Sequence, residues 1–216
     1  MARTETPFGT KKTINKNMRM IDLFPTPLGV YDLERKITSE EKSCIDLLLE
    51  SLRPNVGNRT SQDNFVFQQK ELRFLHRFCV ESVNRFVVDV LQYTNLELRV
   101  TQSWLNKSVK GEYHHLHRHP NSILSGVLYI ETGDNDKINF TRNVDKNSFV
   151  FDTTDWNMYN AEMWWFRVKE AELFVFPSHL LHNVPPVESE SRISLSFNTF
   201  PAGSFGSADS LNKVDL

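Results

Sequence analysis

Six of the seven histidines of this chain fall into two short stretches. The first stretch, GEYHHLHRHP, contains His114, His115, His117 and His119. The second stretch, FPSHLLHNV, contains His179 and His182. Imidazole is a common ligand of divalent transition metals, and a histidine pair on a strand can place two ring nitrogens on one ion. A single histidine is more typical of ordinary hydrogen bonding, but this clustering predicts a metal site.

Strand geometry decides which histidines of the first stretch act together. Residues two apart on an extended strand point to the same side. His115, His117 and His119 are therefore predicted to share one face, and His114 is predicted to face away and to be exposed. A third metal ligand must come from elsewhere in the fold, and the second stretch offers it.

A polar strand face follows shortly after the second stretch. In RISLSFN, the residues Arg192, Ser194, Ser196 and Asn198 alternate with apolar residues. A guanidinium binds both oxygens of a carboxylate, and a neighbouring hydroxyl adds one more donor. Arg192 alone would suit a solvated strand. Ten residues after His182, however, it favours a ligand that chelates metal at one end and carries a carboxylate at the other.

Regular elements of two kinds surround these residues. TSEE at Thr38–Glu41 is a capping box that predicts a helix, and apolar spacing predicts a long amphipathic helix from Glu71 to about Tyr93. IDLFPTPLGVYDL suits an edge strand, and RPNVGNRTSQDN is predicted to be a loop. From Leu96 onward about eight short strands are predicted: LELRVTQSWLN, ILSGVLYIE, KINFT, SFVFD, AEMWWFRV, ELFVFP, HNVPPV and RISLSFNTF.

Helices followed by many short strands predict an α+β domain with a sandwich or jelly-roll barrel. We predict a flexible arm over residues 1–20 and a single domain over residues 21–202. Within that domain, residues 38–94 supply the helical support and residues 96–200 the barrel core. Residues 203–216 are predicted to be a loose tail.

Composition excludes some classes of function. The 25 basic residues nearly balance the 27 acidic ones, and the net charge of −2 gives no electrostatic case for nucleic acid. No stretch approaches the roughly 18 apolar residues of a membrane span. The first residues lack the apolar core of a secretory signal. Cys44 and Cys79 lie in helical patterns and are predicted to be buried free thiols in a reducing compartment.

Several segments resemble, in their order and spacing, the 2-oxoglutarate/Fe(II)-dependent oxygenase superfamily. They are FPTPLGVYDL, SWLN, HRHPNSILSGVLYIE, INF, ELFVFPSHLLHNVPPV and RISLSFN, within residues 22–200. More narrowly, the chain resembles a group of oxygenases from bacteria and from phages of cyanobacteria. The resemblance implies a double-stranded β-helix core, jelly-roll or cupin-like, with supporting N-terminal helices. It also implies a cytoplasmic protein, in a bacterium or a phage-infected host cell.

The resemblance also implies roles for particular residues. His117, His119 and His182 would bind Fe(II), and Arg192 with Ser194 would bind the far carboxylate of 2-oxoglutarate. The superfamily's usual first motif is H-x-D or H-x-E, which this chain lacks, and His119 stands in the position of the carboxylate. The resemblance therefore implies a site of three histidines.

Two alternatives for the third metal ligand stay open. His115 could pair with His117, or a carboxylate could arrive from elsewhere in the fold. The conceivable donors of such a carboxylate are Glu131, Asp152 and Asp155.

Other residues near the predicted site have weaker roles. Asn106 and Tyr129, on strands flanking the H-x-H segment, would contact 2-oxoglutarate or serve as ordinary polar groups. The aromatic segment DWNMYNAEMWWF, residues 155–166, suits a substrate pocket, core packing or a lid equally well. His179 would order the loop before His182, and His76 would be structural.

The implied reaction is an oxidative decarboxylation of 2-oxoglutarate to succinate, with O₂ as second cosubstrate and hydroxylation of a substrate that the sequence does not identify. Two rival functions belong to other classes. One is a three-histidine cupin-type dioxygenase without 2-oxoglutarate, and the other is a non-catalytic jelly-roll binding module. Barrels of this kind are compatible with a homodimer.

Overall fold

The computed structural model describes residues 21–142 and 151–216. The arm predicted over residues 1–20 and most of the strand predicted at SFVFD lie outside the described residues. In chain order the strands are β1 (Gly29–Asp32), β2 (Leu52–Pro54), β3 (Arg59–Ser61), β4 (Glu97–Val109), β5 (His114–His117), β6 (Leu124–Glu131), β7 (Lys137–Thr141), β8 (Met163–Arg167), β9 (Glu172–Pro177), β10 (Leu181–Val184), β11 (Ser191–Ala202), β12 (Ser204–Phe205) and β13 (Val214–Asp215).

Two antiparallel sheets form the barrel. The larger sheet has the order β1-β9-β6-β11-β4-β3-β2, and the smaller has the order β5-β10-β7-β8. Apolar residues of both sheets meet between them, including Phe174 and Phe176 of the larger sheet with Ile138 and Phe140 of the smaller. The fold is the double-stranded β-helix expected from the sequence, and β1 is the predicted edge strand.

Strand β11 separates the two sides of the larger sheet, because its side chains alternate. Ile193, Leu195 and Phe197 join the core beneath the helices. Arg192 and Ser194, on the opposite side, line the interior of the barrel. The predicted polar and apolar faces of this strand are therefore confirmed.

Two helices cover the outer face of the larger sheet. Helix α1 (Ser39–Leu49) begins at the predicted capping box, in which Thr38 Oγ1 accepts from the Glu41 N–H at 3.2 Å. Helix α2 (Arg73–Arg85) is preceded by a 3₁₀ turn and followed by a π-helical turn, Phe86–Val90. Together these three elements account for the long predicted helix. Their apolar faces pack on the sheet and share its hydrophobic core.

The loop predicted between these helices is wrong in part, because it contains the hairpin β2–β3. Strand β3 adds to the edge of the larger sheet beside β4. Two hydroxyls complete the contact: Thr60 Oγ1 donates to the Leu105 carbonyl at 2.9 Å, and Ser61 Oγ accepts from the Leu105 N–H at 3.0 Å. Strands of three residues containing Pro, Arg and Ser carry no hydrophobic alternation to reveal them.

The C-terminal residues predicted to be a loose tail form a small exposed hairpin. Within the part of the chain that the structure describes, β12 and β13 pair only with each other, and Gly203 and Leu216 exchange two backbone hydrogen bonds at the open end of the hairpin. The hairpin forms a sheet of its own, separate from the two barrel sheets, and is peripheral to the site.

Gly126 tests how closely β6 and β11 pack. A Cβ atom at this position would overlap the ring of Phe197, which is fully buried. Gly126→Ala should therefore destabilise the protein by about 1–3 kcal/mol, as overpacking of cores typically does. Urea unfolding checks the value. Adding Phe197→Leu should recover part of the loss, and strictly additive effects of the two substitutions would contradict the contact.

Candidate metal centre

The pairing of β5 with β10 brings the two histidine stretches together. His182 lies directly opposite His117 in this ladder. His119 follows the end of β5, and its backbone N–H donates to the Ser178 carbonyl at 2.9 Å. The ligand nitrogens of His117, His119 and His182 all lie within 4.8 Å of one another. We call these three residues the inner cluster.

Backbone carbonyls orient two rings of the inner cluster. Nδ1 of His117 lies 2.8 Å from the carbonyl oxygen of His115, and Nδ1 of His182 lies 2.9 Å from that of Leu180. A carbonyl only accepts, so each Nδ1 carries the proton and each Nε2 keeps its lone pair for a metal ion.

His119 is held by hydroxyl groups. Its Nδ1 lies 2.7 Å from Ser125 Oγ, and its Nε2 lies 3.2 Å from Nε2 of His117. Ser125 Oγ donates to Asn198 Oδ1 at 2.9 Å and lies 2.7 Å from Ser178 Oγ. Because the proton of Ser125 is used in this way, its oxygen accepts from Nδ1–H of His119. All three Nε2 atoms are thereby free.

Burial keeps the inner cluster neutral. Desolvation lowers the pKa of His119 to about 4 and lowers that of His117, and it holds the pKa of His182 well below its ordinary value. The mutual repulsion of the protonated rings acts in the same direction. Phe176 packs against the His182 ring at 4.8 Å, and Trp104 meets the His119 ring edge-on at 5.7 Å. Neutral imidazoles keep a lone pair that can bind a metal ion.

A second group of polar side chains lines the same cavity. Arg192, Ser194, Asn106 and Tyr129 all face it, as do the three histidines of the inner cluster. On adjacent strands, Ser194 lies opposite Asn106 on one side and Tyr129 on the other. The structure therefore brings together every residue that the sequence placed in the metal and cosubstrate sites.

This polar group contains buried atoms that lack partners. Tyr129 Oη, Asn106 Oδ1 and Arg192 Nε make no hydrogen bond among the described residues. Arg192 is 5% exposed, and within the described part of the chain it forms no ion pair with a carboxylate. A buried guanidinium without a counter-ion is costly. The cavity therefore fits an anionic ligand whose carboxylate reaches Arg192.

The alternatives for the third metal ligand can be compared with this geometry. Glu131, Asp152 and Asp155 are exposed. Neither group of clustered metal-ligand atoms in the described residues includes a carboxylate. The second of these groups consists of His114, His115 and His117, and we call it the outer cluster.

The prediction that His114 is exposed and faces away is wrong. His114 is half-buried and stacks on His117, with ring centroids 4.3 Å apart. The cause is a β-bulge: His182 pairs with His117, but Val184 pairs with His114, so β5 holds one extra residue. A bulge re-aims side chains that strict alternation would place on opposite faces.

Sequence reasoning missed two asparagines of the β2–β3 turn. Asn58 is buried and lines the cavity, and Asn55 Nδ2 lies 3.1 Å from Nε2 of His114. Asn58 also accepts from Asn55 at 2.9 Å. Their strands were too short to be recognised, so no signal placed them near the histidines.

The aromatic segment divides between core and surface. Phe166 packs inside the barrel, whereas Trp156 and Tyr159 are exposed, and Tyr159 donates to Asp22 Oδ1 at 2.7 Å. No residue of the segment lines the cavity.

Three further predictions concern His76, the two cysteines and His179, and the role of His179 stays untested. His76 stacks on Phe67 at 4.7 Å, as a structural histidine would. Cys44 and Cys79 are buried free thiols. His179 is exposed.

Comparison with known families gives one match, over part of the chain. Residues 102–198 match the family model described as "Putative 2OG-Fe(II) oxygenase". This segment contains both histidine clusters and the Arg192 strand. This match covers less than half of the chain, and it agrees with the resemblance seen in the sequence. No protein of curated function matches the chain significantly in sequence.

Solved structures share the fold at low sequence identity. A 2OG-Fe(II) oxygenase family oxidoreductase from Burkholderia pseudomallei is 15% identical, with a TM-score of 0.55, over 80% of this chain and 84% of that one. A prolyl-4-hydroxylase from Pseudomonas putida is 15% identical, with a TM-score of 0.55, over 82% and 94%. HygX from Streptomyces hygroscopicus, with nickel, 2-oxoglutarate and hygromycin B bound, is 14% identical, with a TM-score of 0.51, over 82% and 83%.

One narrower expectation is outside these comparisons. The likeness to oxygenases of cyanobacterial phages stays a prediction. No helix among residues 21–142 and 151–216 is long and apolar enough to cross a membrane.

The lowered pKa values predict how the metal-free protein responds to acid. In the folded state burial lowers the pKa of His119 to about 4 and that of His114 to about 3, against an ordinary value of 6.5. As the pH falls, these histidines take up protons in the unfolded state before they do so in the folded state. The free energy of unfolding is therefore unaffected above about pH 6.5 and decreases progressively toward about pH 4 and below. Urea midpoints across this range should fall with pH. His119→Gln should flatten the dependence, whereas His179→Gln, at an exposed position, should not.

The hydroxyl that holds His119 predicts an effect on metal affinity. Ser125→Ala removes the acceptor of Nδ1–H and frees the ring to rotate. Loss of such an outer partner typically lowers metal affinity about 10- to 100-fold. Titration of the tag-free protein with Co²⁺ checks this. Ser178→Ala, which leaves the contact between His119 and Ser125 in place, should cost clearly less, and equal losses would contradict the assignment.

Proposed function

We propose that this chain is a 2-oxoglutarate- and Fe(II)-dependent dioxygenase that hydroxylates a substrate still to be identified. In this proposal His117, His119 and His182 hold Fe(II), and Arg192 with Ser194 binds the far carboxylate of 2-oxoglutarate. One observation carries it: a buried guanidinium, which has no carboxylate partner among the described residues, lines the same cavity as three imidazoles with free Nε2 atoms. When bound, the ion and 2-oxoglutarate supply the oxidising chemistry, consuming O₂ and releasing succinate and CO₂.

The residues of the chain position the reactants. Arg192 neutralises the far carboxylate, and its guanidinium lies 5.4 Å from the centre of the Tyr129 ring. Burial and the loss of solvent raise the pKa of Tyr129, so that its hydroxyl stays protonated and can donate. Asn106 is held by donation to Ser196 Oγ at 3.0 Å, which leaves its Oδ1 as an acceptor in the cavity.

The inner cluster contributes no negative charge. Three neutral imidazoles leave the full charge of a divalent ion to be balanced by the ligands that it binds. A dianionic cosubstrate, with one end at the metal and the other at Arg192, provides this balance. The three-histidine set also suits the cupin-type rival, but that enzyme would leave the buried Arg192 without an anion.

Several finer expectations accompany this proposal. Buried free thiols support a reducing compartment such as the cytoplasm. The near-even charge gives no support to a nucleic acid substrate. A homodimer stays a prediction.

Succinate formation from 2-oxoglutarate tests the proposal directly. The purified chain, with Fe(II) and ascorbate but without substrate, should show slow turnover. His182→Ala should abolish it. Arg192→Ala should weaken 2-oxoglutarate binding by about 2–5 kcal/mol, a loss of about 30-fold or more. Liquid chromatography with mass detection measures succinate, and anaerobic calorimetry measures 2-oxoglutarate binding.

The control is His179→Ala, because His179 is an exposed histidine of the same stretch as His182. It should behave as wild type. Iron binding without 2-oxoglutarate binding would contradict the proposal and favour the cupin-type dioxygenase. Binding of neither would favour a non-catalytic module.

A further inference from the structure

The outer cluster has the composition of a metal site that the proposed function does not use. Its three histidines place their ligand nitrogens within 4.8 Å of one another, as those of the inner cluster do. Nε2 of His114 accepts from Asn55 Nδ2 at 3.1 Å, so an ion bound there would replace that donor. Ring centroids are 4.3 Å apart for His114 and His117, 4.9 Å for His115 and His117, and 5.2 Å for His114 and His115. This grouping exists because of the β5 bulge, which places His114 beside His117.

An unsatisfied atom points to a ligand at this cluster. Nδ1 of His115 is buried and has no hydrogen-bond partner among the described residues. Buried polar atoms in native proteins are normally paired, so an orphaned imidazole nitrogen needs an explanation. A bound cation provides one, because imidazole nitrogens favour ions such as Co²⁺, Ni²⁺ and Zn²⁺.

The two clusters share one residue, and this restricts their occupancy. Nδ1 of His117 is engaged by the His115 carbonyl at 2.8 Å, so only its Nε2 is free. One imidazole nitrogen has one lone pair and binds one ion. An ion in the inner cluster therefore deprives the outer cluster of its third ligand, and the reverse also holds.

Burial differs between the two clusters. The residues of the outer cluster are all half-buried, whereas His119 is 9% and His182 4% exposed. An ion arriving from solvent therefore meets the outer histidines first. For transfer to the inner cluster, the ion stays bound to His117 and exchanges its other ligands, His114 and His115, for His119 and His182.

We propose that His114, His115 and His117 form a second binding site for a divalent transition-metal ion. This site and the inner cluster are occupied in alternation, and the site lies on the path by which the ion enters the inner cluster. This outer site would bind the ion first and transfer it to the inner cluster through His117. This proposal concerns metal binding alone and does not rest on 2-oxoglutarate turnover.

Co²⁺ titration of tag-free protein, followed by visible absorption and by metal content after desalting, tests the proposal. Wild type should bind one ion per chain rather than two. The variant His119→Ala/His182→Ala lacks the inner cluster and should still bind one ion, more weakly. Adding His114→Ala and His115→Ala should abolish that binding. Adding His179→Ala instead, at an exposed histidine outside both clusters, should leave it unchanged.

Three outcomes would overturn the proposal. The first is that the variant without the inner cluster binds no Co²⁺. The second is that this variant binds Co²⁺ equally well after His114 and His115 are also replaced. The third is that wild type binds two ions per chain. If the alanine pair does not fold by circular dichroism, His119→Gln/His182→Gln is titrated in its place. Glutamine keeps much of the side-chain volume without an imidazole. Failure of succinate formation in wild type would bear on the proposed function and leave these titrations unaffected.

Discussion

The site depends on one antiparallel pairing, that of β5 with β10. It places His117 opposite His182 although 64 residues separate them in sequence. The neighbouring turn is fixed by the bond between the His119 N–H and the Ser178 carbonyl, so the third imidazole follows from the same contact. Among residues 21–142 and 151–216, strand β5 pairs on one side only, with β10. The geometry of the candidate metal centre therefore depends on how firmly β10 holds β5, and β10 is held in turn by β7.

The electrostatics of the cavity follow from the absence of carboxylates beside its histidines and Arg192 among the described residues. Within the described residues, no carboxylate joins the histidine clusters and none pairs with Arg192. The free protein thus holds a buried positive charge beside neutral imidazoles, and a bound divalent ion would add to that charge. In a medium of low dielectric constant such an excess is strongly unfavourable until an anion enters. Metal and anionic ligand are accordingly expected to stabilise each other's binding.

The sequence predicted the fold and the residues that line the cavity, because both rest on short-range patterns. Alternation in β11 fixed which residues face the barrel, and the capping box at Thr38 fixed the start of α1. The sequence did not reveal His114 as a neighbour of His117, because a bulge is set by the pairing partner and not by the strand itself. It also missed Asn55 and Asn58, since β2 and β3 are too short for periodicity to show. Ser125 and Ser178 escaped notice because a buried serine within an apolar strand carries no local signal of what it contacts.

The β5 bulge has an evolutionary consequence. It is a single extra residue, so the loss of one codon between His114 and His117 would restore regular alternation. If the lost codon is that of Leu116, His115 would lie opposite Asn183 and turn to the other face, whereas His114 would stay opposite Val184. His117, His119 and His182 would keep their positions relative to β10. Related chains that differ by one residue in this strand would therefore share the inner histidines while differing in the outer ones, so a deletion, and not a substitution, is the simplest way to separate the two clusters.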